Sequence, residues 1–192
     1  MNNSLMKNFG FGILIAGVLY TATFYFQELS SANDFNEFLE DASTISGLHN
    51  INAANFKEIL DFSEVDRESF EGLLSQIQSS SQEAYQLLQN SNVEFTSKEK
   101  QLLEIAVSSW LDGVELFQVS IITLIDNPST LKIEESIAQS ILSLSIGDKA
   151  YEEFLFLINQ NASIDGTFLP NFYQIDYIGL EGNSYKFADL IV

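Results

Sequence analysis

The chain contains no cysteine among its 192 residues, and it has only one histidine, two prolines and eight basic residues. The absence of cysteine excludes disulfide bonds, thiolate metal ligands and cysteine nucleophiles. The single histidine, His49, belongs to no Glu-x-x-His or His-Glu-x-x-His pattern, and the sequence has no Gly-x-Ser-x-Gly, Gly-x-Gly-x-x-Gly or phosphate-loop motif. The commonest metal, hydrolase and nucleotide sites are therefore missing, and we expect neither enzymatic activity nor a cofactor.

Basic residues are scarce where they would be needed to bind nucleic acid. All 27 acidic residues and seven of the eight basic ones follow residue 26, so the chain beyond that point carries 27 − 7 = 20 net negative charges, against 19 for the whole chain. Nucleic acids are held mainly through Lys and Arg contacts to phosphate, which excludes them as partners. The acidic surface fits solubility, a salty environment or a cationic partner, and the sequence leaves these open.

The N-terminal part of the chain carries a long uncharged run. Residues 9–26 read FGFGILIAGVLYTATFYF, which as a helix spans about 27 Å, close to the thickness of a hydrocarbon core. Lys7 precedes the run and Glu28 follows it. The positive-inside bias then predicts a cytoplasmic end (residues 1–8), a transmembrane signal-anchor helix in contact with membrane lipid (residues 9–26) and an extracytoplasmic remainder.

Two alternatives stay open for this segment. The small residues Ser30-Ser31-Ala32 suit cleavage of a signal peptide near Ala32, which would release a secreted protein. Gly10-Phe11 ahead of an apolar helix resembles the prepilin cleavage site of pilin-like filament subunits, which implies such a subunit here. The sequence departs from that family in its nearly uncharged leader and in Ile15, which stands where those subunits usually carry glutamate.

The rest of the chain is predicted to be mainly α. Residues 27–63 alternate polar clusters with short apolar stretches, which predicts short helices and a connector, with His49 in a loop. Residues 64–160 carry three long segments with apolar residues at three-to-four spacing. This pattern predicts an antiparallel bundle of three to four main helices.

Helix start and stop signals divide that bundle. Asp66 is a cap for the first long helix, and Thr96-Ser97-Lys98-Glu99 forms a capping box at the start of the second, which we place at the centre of the bundle. Pro128 suits the first turn of the third helix. Gly147-Asp148 predicts a kink or break before that helix ends near Asn159.

Residues 161–192 change character. Asp165-Gly166 and Glu181–Ser184 are turn signals around aromatic and β-branched residues, which predicts an extended or β-hairpin tail packed on the bundle. We expect exposed aromatic side chains there to form an apolar binding patch: Phe168, Phe172, Tyr173 and Tyr177. Asn161-Ala162-Ser163 is a sequon, so Asn161 is a candidate for glycosylation.

The acidic cluster before the first long helix is a candidate metal site. Asp61, Glu64 and Asp66 offer oxygen ligands of the kind that calcium takes. Their spacing does not fit an EF-hand, because Asp66 stands where the loop needs its glycine. Carboxylates also stabilise a helix N-terminus, so we predict a helix start and no metal site.

Three classes of function follow. The first is a non-enzymatic, membrane-anchored extracytoplasmic helical protein, an accessory or scaffold subunit of a membrane or cell-envelope complex with a protein partner. The second is a ligand- or cation-sensing ectodomain, which needs a partner to signal because its cytoplasmic end is so short. An enzyme with a site made only of carboxylates is the third.

Overall fold

The computed structural model describes residues 34–60, 67–91, 98–127, 133–165 and 168–178. Over these residues the chain is 90% helical and has no strand, so the prediction of a mainly α fold is confirmed. The helices are α1 over residues 34–60, α2 over Arg67–Asn90, α3 over Lys98–Asp126 and α4 over Ile133–Asp165.

The four helices run up and down in turn. Asn161 near the end of α4 bonds Glu99 at the start of α3, while Arg67 at the start of α2 pairs with Asp126 at the end of α3. Helix α3 is therefore antiparallel to both α2 and α4. Ring contacts join α1 to α3 and α4: Phe56 meets Phe117, and Phe38 meets Phe154. Together these contacts define an antiparallel four-helix bundle with α3 against the other three helices.

Helix α3 is the one described helix long and apolar enough to cross a membrane. A core helix passes the same test, and its buried side chains include Leu103, Trp110, Val114 and Phe117. Contacts with all three neighbouring helices explain its apolar character as core packing. The predicted anchor, residues 9–26, lies outside the described residues and stays a prediction.

Two glycines allow α3 and α4 to approach closely. A Cβ added to Gly113 would lie 2.7 Å from Cγ of Leu144, and one added to Gly147 would lie 2.6 Å from Nε1 of Trp110. Such separations are too short for non-bonded atoms. Both positions therefore require glycine for packing, in spite of its cost inside a helix.

Alanine at these glycines is expected to destabilise the bundle. We expect Gly147→Ala to lower the free energy of unfolding by about 1–3 kcal/mol, because Trp110 is fully buried and must shift. Gly72 of α2 is the matched control, since nothing lies within 4 Å of its added Cβ. Gly72→Ala should raise stability by up to about 1 kcal/mol through helix propensity. Urea unfolding of both variants checks the two signs, and a stabilised Gly147→Ala would contradict this packing.

Helix α1 corrects the prediction of short helices and a connector over residues 27–63. Its described residues form one continuous helix from 34 to 60. Polar residues at Ser46, His49 and Asn52 suggested a break, but their side chains are buried and take part in the core. Helical spacing places them on the same face as Ile45 and Phe56, so the helix continues through them.

Helix α4 and the segment after it differ from the prediction in three ways. The helix continues through Gly147-Asp148 without a break, because Gly147 accommodates Trp110, and it extends to Asp165. Residues 168–178, here called the strap, contain no strand. The described part of the tail therefore agrees with the extended alternative and not with a β-strand, while residues 179–192, which include the predicted hairpin turn, lie outside the described part.

The strap lies along α1 and α4. Hydroxyl Oγ of Ser43 donates to the Asn171 carbonyl at 2.8 Å, and Lys57 pairs with Asp176 at 3.5 Å, so the strap runs parallel to α1. Phe172 packs edge-on against Phe154 of α4. The strap thus adds apolar and aromatic side chains to the core between two helices.

Candidate functional site

A set of polar side chains lies at the centre of the bundle, where α1, α2, α3, α4 and the strap meet. We call it the central polar cluster, and its members are His49, Asn52, Ser81, Trp110, Asp148 and Tyr177. All but Asp148 are buried, and Asp148 is largely so.

His49 is a core residue and not the loop residue that the sequence predicted. Its ring centroid lies 4.4 Å from that of Trp110, and Nδ1 lies 2.8 Å from the Tyr177 hydroxyl. Nε2 has no hydrogen-bond partner among the described residues. Complete burial lowers the pKa of His49 to about 3, since the charged ring would lose its hydration. The imidazole is therefore neutral at physiological pH.

Tyr177 connects the strap to α1 and α2. Its side chain is fully buried, and burial raises the pKa of Tyr177, an effect that hydrogen bonding with Ser81 and Asn52 partly offsets. The Asn52 amide Nδ2 donates to Oγ of Ser81 at 3.1 Å and to the Ile77 carbonyl at 3.3 Å. The hydroxyl is thus held as a neutral group inside a hydrogen-bonded network that spans three elements.

Asp148 connects α4 to α3 and to the strap. Its carboxylate accepts N–H bonds from Nε1 of Trp110 at 2.9 Å, from the Tyr177 backbone at 3.1 Å and from the Ile178 backbone at 3.3 Å. Burial raises the pKa of Asp148 to about 6, with a smaller upward effect from the negative charge of Asp176, although all three donors act in the opposite direction. Desolvation therefore outweighs hydrogen bonding at this carboxylate.

A second hydrogen-bonded set holds the middle of the strap. The Tyr151 hydroxyl donates to Oγ of Ser46 at 2.8 Å and lies 3.1 Å from the Tyr173 carbonyl, while the Tyr173 backbone N–H donates to the same Ser46 oxygen at 2.8 Å. Burial raises the pKa of Tyr151 to about 12. Ser46 is buried in α1, so a residue that looked like part of a polar loop fixes the position of the strap.

The chemistry of the central polar cluster is that of a structural network. A carboxyl group with a pKa near 6 is suited to proton transfer, but the Asp148 oxygens are occupied by three N–H donors. Neutral His49 and Tyr177 bond each other inside the core. Over the described ranges, no group of three or more His, Cys, Asp or Glu is placed to hold a metal ion. The cluster fixes how the elements pack.

The sites predicted from sequence fall in different places. Asp61, Glu64 and Asp66, the candidate metal ligands, lie outside the described residues. Asn161 lies in the last turn of α4, and its amide nitrogen donates to the Glu99 carboxylate. Glycosylation of Asn161 stays a prediction, and the sugar would attach to this same nitrogen.

The predicted aromatic patch on the tail is only partly present. Phe168 is 92% exposed and Tyr173 is 44% exposed, but Phe172 packs on the core and Tyr177 is fully buried. Sequence reasoning missed Asp148 and His49 as structural residues. The available signal was their helical spacing from apolar neighbours, which places both on inward faces.

The pH dependence of stability is expected to carry the signature of His49. Its folded pKa lies below the unfolded value of 6.5, so the unfolded chain binds the proton more tightly. The contribution of His49 to the free energy of unfolding is fully present above pH 6.5. It decreases by up to about 1.4 kcal/mol per pH unit as the pH drops toward 3. Asp148 has the opposite effect, because its pKa is higher in the folded chain than in the unfolded one. The free energy of unfolding therefore falls as the pH rises from about 4 to 6.

Difference measurements separate these two groups. The free energy of unfolding of the wild type minus that of His49→Gln should decrease as the pH falls below 6.5. The same difference for Asp148→Asn should decrease as the pH rises from about 4 to 6. His49 is the only histidine, so its imidazole NMR signals also report it directly. A His49 titration midpoint near 6.5 in the folded protein would show that the ring is not buried.

No family model, curated protein or solved structure matches this chain.

Proposed function

We propose that this chain is a non-enzymatic, membrane-anchored extracytoplasmic protein that works by binding, as an accessory or scaffold subunit of a membrane or cell-envelope complex. Residues 9–26 serve as its anchor in this proposal, and the helical bundle is the binding part. The observation that carries the binding role is an uneven distribution of exposed apolar side chains over the bundle.

Exposed large apolar side chains concentrate on α3 and α4. Of the nine on the described residues, three lie on α1 and the strap, namely Ile51, Phe168 and Tyr173, and six belong to these two helices: Ile105, Val119, Ile125, Leu142, Ile146 and Phe156. Helix α2 has none, and its outward positions are occupied by Gln, Ser and Glu. Single exposed apolar residues are common, but several on the outward faces of two neighbouring helices are typical of an interaction surface.

The central polar cluster supports a binding role over a catalytic one. Its carboxylate and tyrosine hydroxyl groups are engaged in bonds that hold the strap to α1 and α4 and that join α4 to α3. Because these groups hold the elements of the chain together, the proposed function depends on the outer surface of the bundle. Binding to a protein partner is the role that fits such a surface.

Mild detergent extraction tests this function. We would extract the tagged full chain from membranes of cells that express it and identify the proteins that co-purify. The expected result is a defined membrane complex, retained by the control Gln86→Ser/Gln89→Ser on exposed positions of α2 and lost in Leu142→Ser/Ile146→Ser. Isolation of the chain alone, or its release from membranes by an alkaline carbonate wash, would refute the proposal.

A further inference from the structure

The outward side of α3 and α4 carries an apolar surface that we call the α3–α4 face: Ile105, Val119, Leu142 and Ile146. Ile105 and Val119 are fourteen residues apart, four turns of the same helix face, and Leu142 and Ile146 are one turn apart. Because Trp110 meets Gly147 and Gly113 meets Leu144, the two α4 residues lie at the height of the α3 segment between Ile105 and Val119. The four side chains are between 46% and 64% exposed.

The same side of the bundle has an open groove. It has a volume of about 450 Å³, is open to solvent, and its described lining comes from α3 alone: Gln101, Glu104, Ile105, Ser108 and Ser109. Small serine side chains leave room there for the side chains of a partner. Such open space beside an exposed apolar row can accommodate side chains of a partner helix.

Charges around the α3–α4 face are predominantly negative. The exposed or half-exposed acidic residues of α3 and α4 are Glu104, Asp112, Glu115, Asp126, Glu134, Glu135, Glu152 and Glu153, against the lysines Lys98, Lys100 and Lys149. Lys149 is paired with Glu152 at 2.6 Å and Asp126 with Arg67 at 2.9 Å, so these ion pairs remove charges of both signs and the excess of acidic residues remains. An apolar centre within an acidic surround favours a partner with the opposite arrangement.

This charge pattern favours one kind of binding partner for the α3–α4 face over the others. A second copy of the chain would bring the same acidic surround against itself, which like-charge repulsion opposes. A lipid surface favours helices whose apolar side is flanked by Lys and Arg, the reverse of the arrangement here. From the apolar centre, the groove and the acidic surround, we propose that the α3–α4 face binds a basic amphipathic helix of a partner protein, with the partner's apolar side on Leu142 and Ile146.

This inference rests on the proposed function and names the kind of partner, but its test is independent of co-purification. The full chain, reconstituted in nanodiscs of phosphatidylcholine, is titrated against a labelled synthetic helix of leucine and lysine with leucines at three-to-four spacing. A matched peptide carries glutamate for every lysine. Fluorescence anisotropy reports binding, and empty nanodiscs give the contribution of lipid.

We expect the basic helix to bind with micromolar affinity and the acidic one to bind at least about tenfold more weakly, with added salt weakening the basic helix. Leu142→Ser/Ile146→Ser should weaken binding by roughly tenfold or more, while Gln86→Ser/Gln89→Ser leaves it unchanged. Both pairs are exposed, so circular dichroism should show the same fold for each. Equal affinity for the two peptides, or full affinity in the Leu142→Ser/Ile146→Ser variant, would overturn the inference.

Discussion

Replacing Trp110 with alanine is expected to lower the free energy of unfolding by about 3–5 kcal/mol, the largest effect of any single substitution considered. The side chain is completely buried and its ring contacts those of His49, Tyr151 and Tyr177. Its removal leaves a cavity at the junction of the helices and deprives Asp148 of a donor. Urea unfolding followed by circular dichroism measures the loss, because Trp110 is the only tryptophan and fluorescence would vanish with it.

The variant Trp110→Phe is the control that separates packing from hydrogen bonding. Phenylalanine retains an aromatic ring in the core but has no N–H for the carboxylate, so we expect a loss of about 1–3 kcal/mol, smaller than that of alanine. Equal losses for the two variants would mean that ring packing contributes little. A loss below about 1 kcal/mol for alanine would contradict the central position of Trp110.

Removal of the Asp148 carboxylate is expected to release the strap. Asp148→Ala leaves the Trp110 N–H and the backbone N–H groups of Tyr177 and Ile178 without their acceptor, which should cost about 3 kcal/mol or more. Asp148→Asn retains one acceptor oxygen and should lose less. Hydrogen exchange measured by mass spectrometry reports the strap directly, with faster exchange expected over residues 171–178.

Glu152 provides a matched control for that experiment. It lies on the same helix, one turn after Asp148, and it pairs with the exposed Lys149. Glu152→Gln removes a surface ion pair, so we expect a change below about 1 kcal/mol and no change in strap exchange. Unaltered exchange in Asp148→Ala would show that aromatic packing alone holds the strap in place.

The sequence predicted the long helices well because their apolar spacing is regular. Helices α2 and α3 begin within two residues of the signals at Asp66 and Thr96-Ser97-Lys98-Glu99. Helix α1 was not predicted as one element, since its inward positions at Ser46, His49 and Asn52 are polar. Their partners Tyr151, Tyr177 and Ser81 are 29 to 128 residues away, and local pattern cannot show that such side chains are satisfied inside a core.

The central polar cluster could not be predicted from local sequence for the same reason. Gly147-Asp148 resembles a helix stop locally, yet the glycine is needed for Trp110 and the aspartate for the strap. The β-branched and aromatic residues of the strap predicted strands, but packing between α1 and α4 determines its conformation instead. In each case a contact distant in sequence overrides local propensity.

The binding role of the α3–α4 face is tested most directly by site-specific photo-crosslinking of the full chain in membranes. A photoreactive amino acid replaces Leu142 in one variant and Gln86, an exposed residue of α2, in another. We predict a discrete crosslinked partner from position 142 and none from position 86. Crosslinks of equal yield from both positions, or none from position 142, would contradict the assignment of α3 and α4 as the binding side of this protein.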